Sequence, residues 1–100
     1  MSLSIEKTVA ENSEIKLTGR LDTTTAPELD AVLDEVLPTA KNLVFDLEGL
    51  EYISSAGLRL VLKAQKAMNK QGSMKLIHVP SEVMEVFDIT GFADFLTVEG

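Results

Sequence analysis

The segment best placed to do chemistry is Asp46-Leu47-Glu48-Gly49-Leu50-Glu51-Tyr52-Ile53-Ser54-Ser55-Ala56-Gly57-Leu58-Arg59. Its pattern predicts an apolar strand that leads through a loop at Gly49 into a helix opening on two serines. The unpaired N–H groups and positive dipole end of a helix N-terminus favour an anion, so a phosphate on either serine would meet donors there without an arginine clamp. Serine is also among the best N-cap residues, so either hydroxyl can equally be a cap and nothing more. A serine-hydrolase elbow fails on the residues: position 53 is Ile where the pattern demands glycine, and the single histidine, His78, falls in a predicted strand with no reason to face Ser55.

Two carboxylates invite the same question. Asp22 follows Thr18-Gly19-Arg20-Leu21, where a turn-forming side chain is the plain reading. Asp46 sits inside an apolar run, where a strand-end carboxylate holding backbone N–H groups is favoured over catalysis or metal binding. Neither has the spacing of a calcium loop, and no phosphate loop or dinucleotide fingerprint occurs. With no cysteine and one histidine, a zinc cage, a thiol nucleophile and a disulfide framework are excluded. No metal site, cofactor or catalytic residue is expected.

The elements that must position these residues can be read from periodicity. Leu3, Ile5 and Val9 share one face against Ser2, Ser4, Glu6 and Thr8, and alternation resumes at Ile15 and Leu17 after a polar break, which predicts a hairpin. Thr25-Ala26-Pro27-Glu28 has the form of a capping box before a helix carrying Leu29, Val32, Leu33 and Val36, with Pro38 as a stop. The run Leu43-Val44-Phe45-Asp46-Leu47 reads as a strand covered on both faces. The second helix carries Leu58, Val61, Leu62 and Met68 and ends at Gly72, expected as a left-handed C-cap. Met74 to Val79 reads as a strand, Ser81 as the cap of a third helix through Val83, Val86 and Phe87 that ends at Gly91, and Phe95 to Val98 as a last strand. The order β-β-α-β-α-β-α-β over residues 1–100 predicts one α/β domain, a mixed sheet with a leading antiparallel hairpin and right-handed crossovers.

The 100 residues carry 16 acidic and 9 basic side chains, a net charge of -7. That balance repels nucleic-acid backbones and anionic membranes, so a protein partner is expected. No signal-like or membrane-spanning apolar run is present, which predicts a cytoplasmic protein. Seven carboxylates lie between Glu28 and Glu51 against Lys41 alone, while the second helix bears only Arg59, Lys63, Lys66 and Lys70 along one face. That stripe is read as a solvated face or a docking surface for an acidic partner.

Leu17-Thr18-Gly19-Arg20-Leu21-Asp22, Leu43 to Leu47 with Leu50-Glu51-Tyr52-Ile53, Ser54-Ser55-Ala56-Gly57-Leu58, and Phe87-Asp88-Ile89-Thr90-Gly91-Phe92 together resemble the STAS-domain family of bacterial anti-sigma factor antagonists over essentially the whole chain. The resemblance implies a non-enzymatic binding protein that, unphosphorylated, holds an anti-sigma factor with serine kinase activity. Phosphorylation ends the binding, and a metal-dependent serine phosphatase restores it. The family's acceptor, two residues before the glycine, maps to Ser55; the usual preceding Asp is Ser54 here, which makes Ser54 the second candidate. The implied partner surface comprises Asp22, Thr23, Thr24, Glu51, Tyr52, Ile53, Ser54, Ala56, Gly57, Leu58 and Arg59, with Glu48, Glu51, Asp22 and Asp46 expected to deepen the negative potential around the phosphate. The family also implies a rival role, a stand-alone adaptor subunit of a membrane lipid-transporter ATPase in which Ser55 is only a cap.

Overall fold

A computed structural model describes residues 3–99. Its elements are β1 (Leu3–Thr8), β2 (Asn12–Leu21), α1 (Ala26–Val36), β3 (Asn42–Ile53), α2 (Ser55–Gln71), β4 (Ser73–Ile77), α3 (Ser81–Thr90), a 3₁₀ turn (Phe92–Phe95) and β5 (Val98–Glu99). The sheet runs β1-β2-β3-β4-β5, with β1 antiparallel to β2 and every later pair parallel. Each parallel strand is thus laid beside its predecessor by a helical crossover, and the hairpin is where expected. The face expected for Ser2 lies outside the described residues, and Val9 falls past the end of β1 and is exposed.

All three helices cover one face of the sheet. Ile15, Leu17 and Leu21 of β2, Leu43, Phe45 and Leu47 of β3, and Met74 and Leu76 of β4 form one core with Leu29 and Leu33 of α1, Leu58 and Val61 of α2, and Val83 and Phe87 of α3. The intervening residues of β3, Val44, Asp46 and Glu48, face away from that core and are only partly covered or exposed. The expectation that β3 is covered on both faces is therefore corrected: Val44 is an apolar residue on the uncovered side.

The larger correction concerns Gly49 to Ile53, expected as a loop but continuous with β3. Two register shifts against β2 place one extra residue each in β3, between the Lys16↔Asp46 and Thr18↔Gly49 pairs and between Gly19↔Leu50 and Arg20↔Tyr52. Each bulge displaces the inward positions by one, so Leu43, Phe45 and Leu47 are succeeded inward by Leu50 and Ile53. Strict alternation breaks, and a strand looks like a loop.

Two helix boundaries and two strand ends also differ from expectation. Ser81 is the first residue of α3, Pro80 takes the cap position, and no side chain caps that end. Gly91 ends α3 in left-handed geometry as expected (φ 79°), whereas Gly72 is extended (φ 174°). Gly72 is needed for a close approach: a β-carbon there would lie 2.7 Å from the carbonyl carbon of Lys41 and nearer still to its oxygen. Finally, β4 stops at Ile77, His78 takes a left-handed backbone (φ 54°), and Phe95 closes a 3₁₀ turn before the two-residue β5.

Candidate functional site

The parallel strands β2 and β3 end side by side at Leu21 and Ile53, and the site is built from the turn after β2 and the start of α2 after β3. The Ser54 N–H bonds the Leu21 carbonyl at 2.8 Å, which holds Ser54 in extended geometry (φ -92°, ψ 174°) as the last residue before α2. From there its Oγ accepts the Gly57 N–H at 3.3 Å. Ser54 is thus the N-cap. Ser55 begins the helix, exposed, and its hydroxyl has no hydrogen-bond partner among the described residues. The N–H groups of Ser55 and Ala56 have no carbonyl one turn behind them in the helix.

Gly57 and Leu58 face inward. A β-carbon on Gly57 would lie 2.6 Å from Leu21 Cγ and 3.0 Å from Ile53 Cγ1, so glycine lets the helix start sit directly on the strand ends. Ile53, Gly57 and Leu58, expected on the contact surface, are buried and hold the helix start against the strand ends. Asp22, Thr23, Thr24, Glu51, Tyr52, Ser54, Ala56 and Arg59 remain at least partly accessible.

The turn after β2 is organised by Asp22. Its Oδ1 accepts the Thr24 N–H at 3.0 Å, the Thr24 hydroxyl at 2.7 Å and the Thr25 N–H at 3.1 Å, while its carbonyl takes the Ala26 N–H at 2.8 Å. Asp22 thus holds the N–H groups of the turn before α1, while no side chain caps the helix itself: the Glu28 N–H, which the capping box assigned to the Thr25 hydroxyl, bonds the Thr25 carbonyl at 2.9 Å. Thr25 is buried with its hydroxyl turned back, donating to the Arg20 carbonyl at 2.8 Å and accepting from the Asp22 N–H at 2.9 Å. The Thr24 hydroxyl, with the two N–H groups, holds the Asp22 carboxyl below its ordinary range against a smaller effect of burial.

A carboxylate with a lowered native pKa supports the fold above its unfolded pKa of about 3.9 and loses that support as pH falls through the native value. Asp22→Ala is accordingly expected to lower the melting temperature at pH 7, with the gap from wild type closing below about pH 4. Asp22→Asn, whose amide oxygen can accept the same turn N–H groups, should recover most of the neutral-pH stability without the acid dependence. Thermal melts from pH 2 to 7 decide this, and an unchanged gap across that range would refute the role.

Beside the turn, the Arg20 guanidinium lies 4.3 Å from the Tyr52 ring centroid and 3.9 Å from Asp22 Oδ2, so it covers one face of Tyr52, 42% exposed, across the β2–β3 pair. A hollow of about 370 Å³ runs between Thr23, Ala26, Pro27 and Asp30 on one side and Ala56, Arg59 and Leu60 on the other. Lys63, one turn beyond Arg59, donates to Asp30 at 2.8 Å, a pair that raises the lysine's pKa and joins α2 to α1. The basic stripe is therefore partly spent inside the protein.

Asp46 and Glu48, expected near the phosphate, lie instead on the uncovered sheet face with His78, whose Nδ1 is 3.1 Å from Asp46 Oδ1 and 3.9 Å from Glu48 Oε2. Burial acts to raise the Asp46 pKa, but the Glu48 N–H, His78 and Lys16 outweigh it and hold the carboxyl low. The bond from the Glu48 N–H, at 3.1 Å, lies across the first bulge, so Asp46 holds backbone as expected, inside a strand and not at its end. A hollow of about 600 Å³ at the opposite end of the strands is walled by a row in which Asn42 bonds Asn12 at 2.9 Å and Ser73 bonds Asn42 at 2.7 Å, so those side chains satisfy one another. Among the described residues no group of His, Asp and Glu could hold a metal ion, and no helix is long and apolar enough to cross a membrane.

A hairpin leading a parallel sheet, helices on one face, and an unbonded serine at the exposed start of the second helix define a STAS-type binding domain. Residues 6–98 match the family model described as "Mlab, STAS domain". The anti-sigma-B factor antagonist of Staphylococcus aureus is 33% identical over 101 residues, covering 98% of this chain and 94% of that protein. In fold, the chain is similar to an anti-sigma factor antagonist from Mycobacterium paratuberculosis (TM-score 0.88, 20% identity, 97% of this chain and 85% of that one). It is also similar to SpoIIAA of Bacillus, in its unphosphorylated form (TM-score 0.80, 20% identity, 99% and 89%) and in its phosphorylated form (0.73, 20%, 99% and 92%). The chain belongs to the STAS-domain family of anti-sigma factor antagonists.

Proposed function

We propose that this protein is a phosphorylation-controlled antagonist of an anti-sigma factor, with Ser55 as the phosphoacceptor. The observation that carries this reading is the division of labour between the two serines. Ser54 is committed to the cap, and Ser55 offers an exposed, unbonded hydroxyl beside free helix N–H groups. In the unphosphorylated state the partner packs over the start of α2, Tyr52 and the Asp22 turn. A serine kinase partner transfers the γ-phosphoryl group of ATP to Ser55 Oγ, ADP leaves, and the hydroxyl proton passes to the kinase. The new dianion, of about -1.5 to -2 charge, would have to be desolvated under the partner, and the complex separates. A serine phosphatase hydrolyses the phosphoester with water, releasing inorganic phosphate and restoring the Ser55 hydroxyl. SpoIIAA has this fold with and without phosphate, in keeping with a switch made by local charge and not by refolding.

Incubation with a kinase-type anti-sigma factor and ATP, followed by mass spectrometry, tests the assignment. Phosphate is expected on Ser55 alone, and Ser55→Ala should take up none. Modification of Ser54 in the wild-type protein, or none at either serine, would overturn it. A second reading, which the family resemblance also implies, is an adaptor subunit of a membrane-transporter ATPase. Under that reading Ser55 stays unmodified, and co-purification yields an ATPase subunit in place of an anti-sigma factor.

A further inference from the structure

We propose that Arg59 is the internal counter-charge of phosphorylated Ser55, and that phosphorylation withdraws this guanidinium from the partner surface as well as adding negative charge to it. The inference rests on Ser55 being the acceptor. Arg59 stands four residues after Ser55 on α2, so the two side chains leave the same helix face one turn apart. The acid precedes the base, the order in which such pairs are favourable.

The surroundings leave Arg59 available. It is exposed and makes no salt bridge among the described residues. Asp30, the carboxylate that α1 brings to the same hollow, is already held by Lys63 at 2.8 Å. Asp22 of the neighbouring turn is engaged with Thr24 and Thr25 and stands 3.9 Å from Arg20. Glu51, exposed on β3, is the remaining acidic residue of the surface and makes no salt bridge among the described residues. A phosphate on Ser55 carries more charge than either carboxylate, and a planar guanidinium meets two of its oxygens where an ammonium meets one. In the free protein the same guanidinium lines the hollow between α1 and α2, available to an acidic group on the partner.

The test places phosphoserine at position 55 during translation, so that no kinase is needed, and tracks its second ionisation by ³¹P NMR. The wild-type value should lie below that of Arg59→Ala by roughly 0.2–0.4 unit at low salt, the size of an i,i+4 ion pair. Arg59→Lys should fall between them, and 1 M salt should close the gap. Equal values in wild type and Arg59→Ala at low salt would overturn the proposal. Failure of the Ser55 assignment is seen separately, as a kinase that leaves Ser55 unmodified.

Discussion

Ser55→Asp is expected to bind the anti-sigma factor at least about 30-fold more weakly than wild type, while Ser55→Ala binds within a few-fold of it. Placing a charge that the partner does not match under a packed interface costs about 2–5 kcal/mol, and each 1.4 kcal/mol is a factor of ten in affinity. Removing the hydroxyl costs little, because Ser55 Oγ makes no hydrogen bond among the described residues and its residue is already exposed. Ser54→Ala separates cap from switch: it should lose about 1 kcal/mol of stability through the freed Gly57 N–H and yet bind as wild type. Calorimetric titration of the three variants, with melts run alongside, checks both halves. Wild-type affinity in Ser55→Asp would refute charge exclusion at this position.

Gly72→Ala is expected to cost about 2–4 kcal/mol, the range of a backbone clash that cannot be relieved by a side-chain rotation. The obstacle is the Lys41 carbonyl, which also accepts the Ser73 N–H at 2.9 Å and so ties the entry of β4 to the strand beside it. Just before it, Gln71 Nε2 donates to the carbonyls of Leu37 at 2.5 Å and Ala40 at 2.7 Å, binding the end of α2 to the turn after α1. A methyl group at position 72 must push these apart together. For a domain of this length the loss corresponds to a melting temperature lower by roughly 10 °C or more. Gly91→Ala is the contrast: open space surrounds that position, so only the left-handed backbone opposes the substitution, and about 1 kcal/mol is expected. Chemical denaturation of both variants decides it, and Gly72→Ala as stable as Gly91→Ala would refute the close-approach argument.

Much of this architecture was legible because burial imposes period. Leu29, Leu33 and Val36 repeat at helical spacing, as do Leu58, Val61 and Met68, and both sets reach the core as expected. What failed did so where a local pattern had two physical explanations. A glycine after a helix usually marks a left-handed turn; at Gly72 it marks a carbonyl with no room beside it. Thr25 has the chemistry of a cap, but its hydroxyl is pulled back to the Arg20 carbonyl, and the Glu28 N–H it would have taken bonds the Thr25 carbonyl. Ser81 stands where a cap would, yet Pro80 holds the extended backbone before α3. The charge map failed for a similar reason, since Asp46 and Glu48 are near Ser55 in sequence but on the uncovered face of the sheet.

The sequence by itself determined the element order, the absence of thiol, zinc-cage and nucleotide-loop chemistry, and a pair of serines at the start of a helix. It could not determine which serine caps that helix and which is free. That choice depends on where the extended backbone of β3 ends, and two bulges set it by carrying the strand on to Ile53, opposite Leu21. The Leu21 carbonyl then holds the Ser54 N–H and keeps Ser54 extended, so its hydroxyl turns to Gly57 and Ser55 is left exposed to solvent. A contact between strand ends more than thirty residues apart decides it, and no local propensity encodes such a contact.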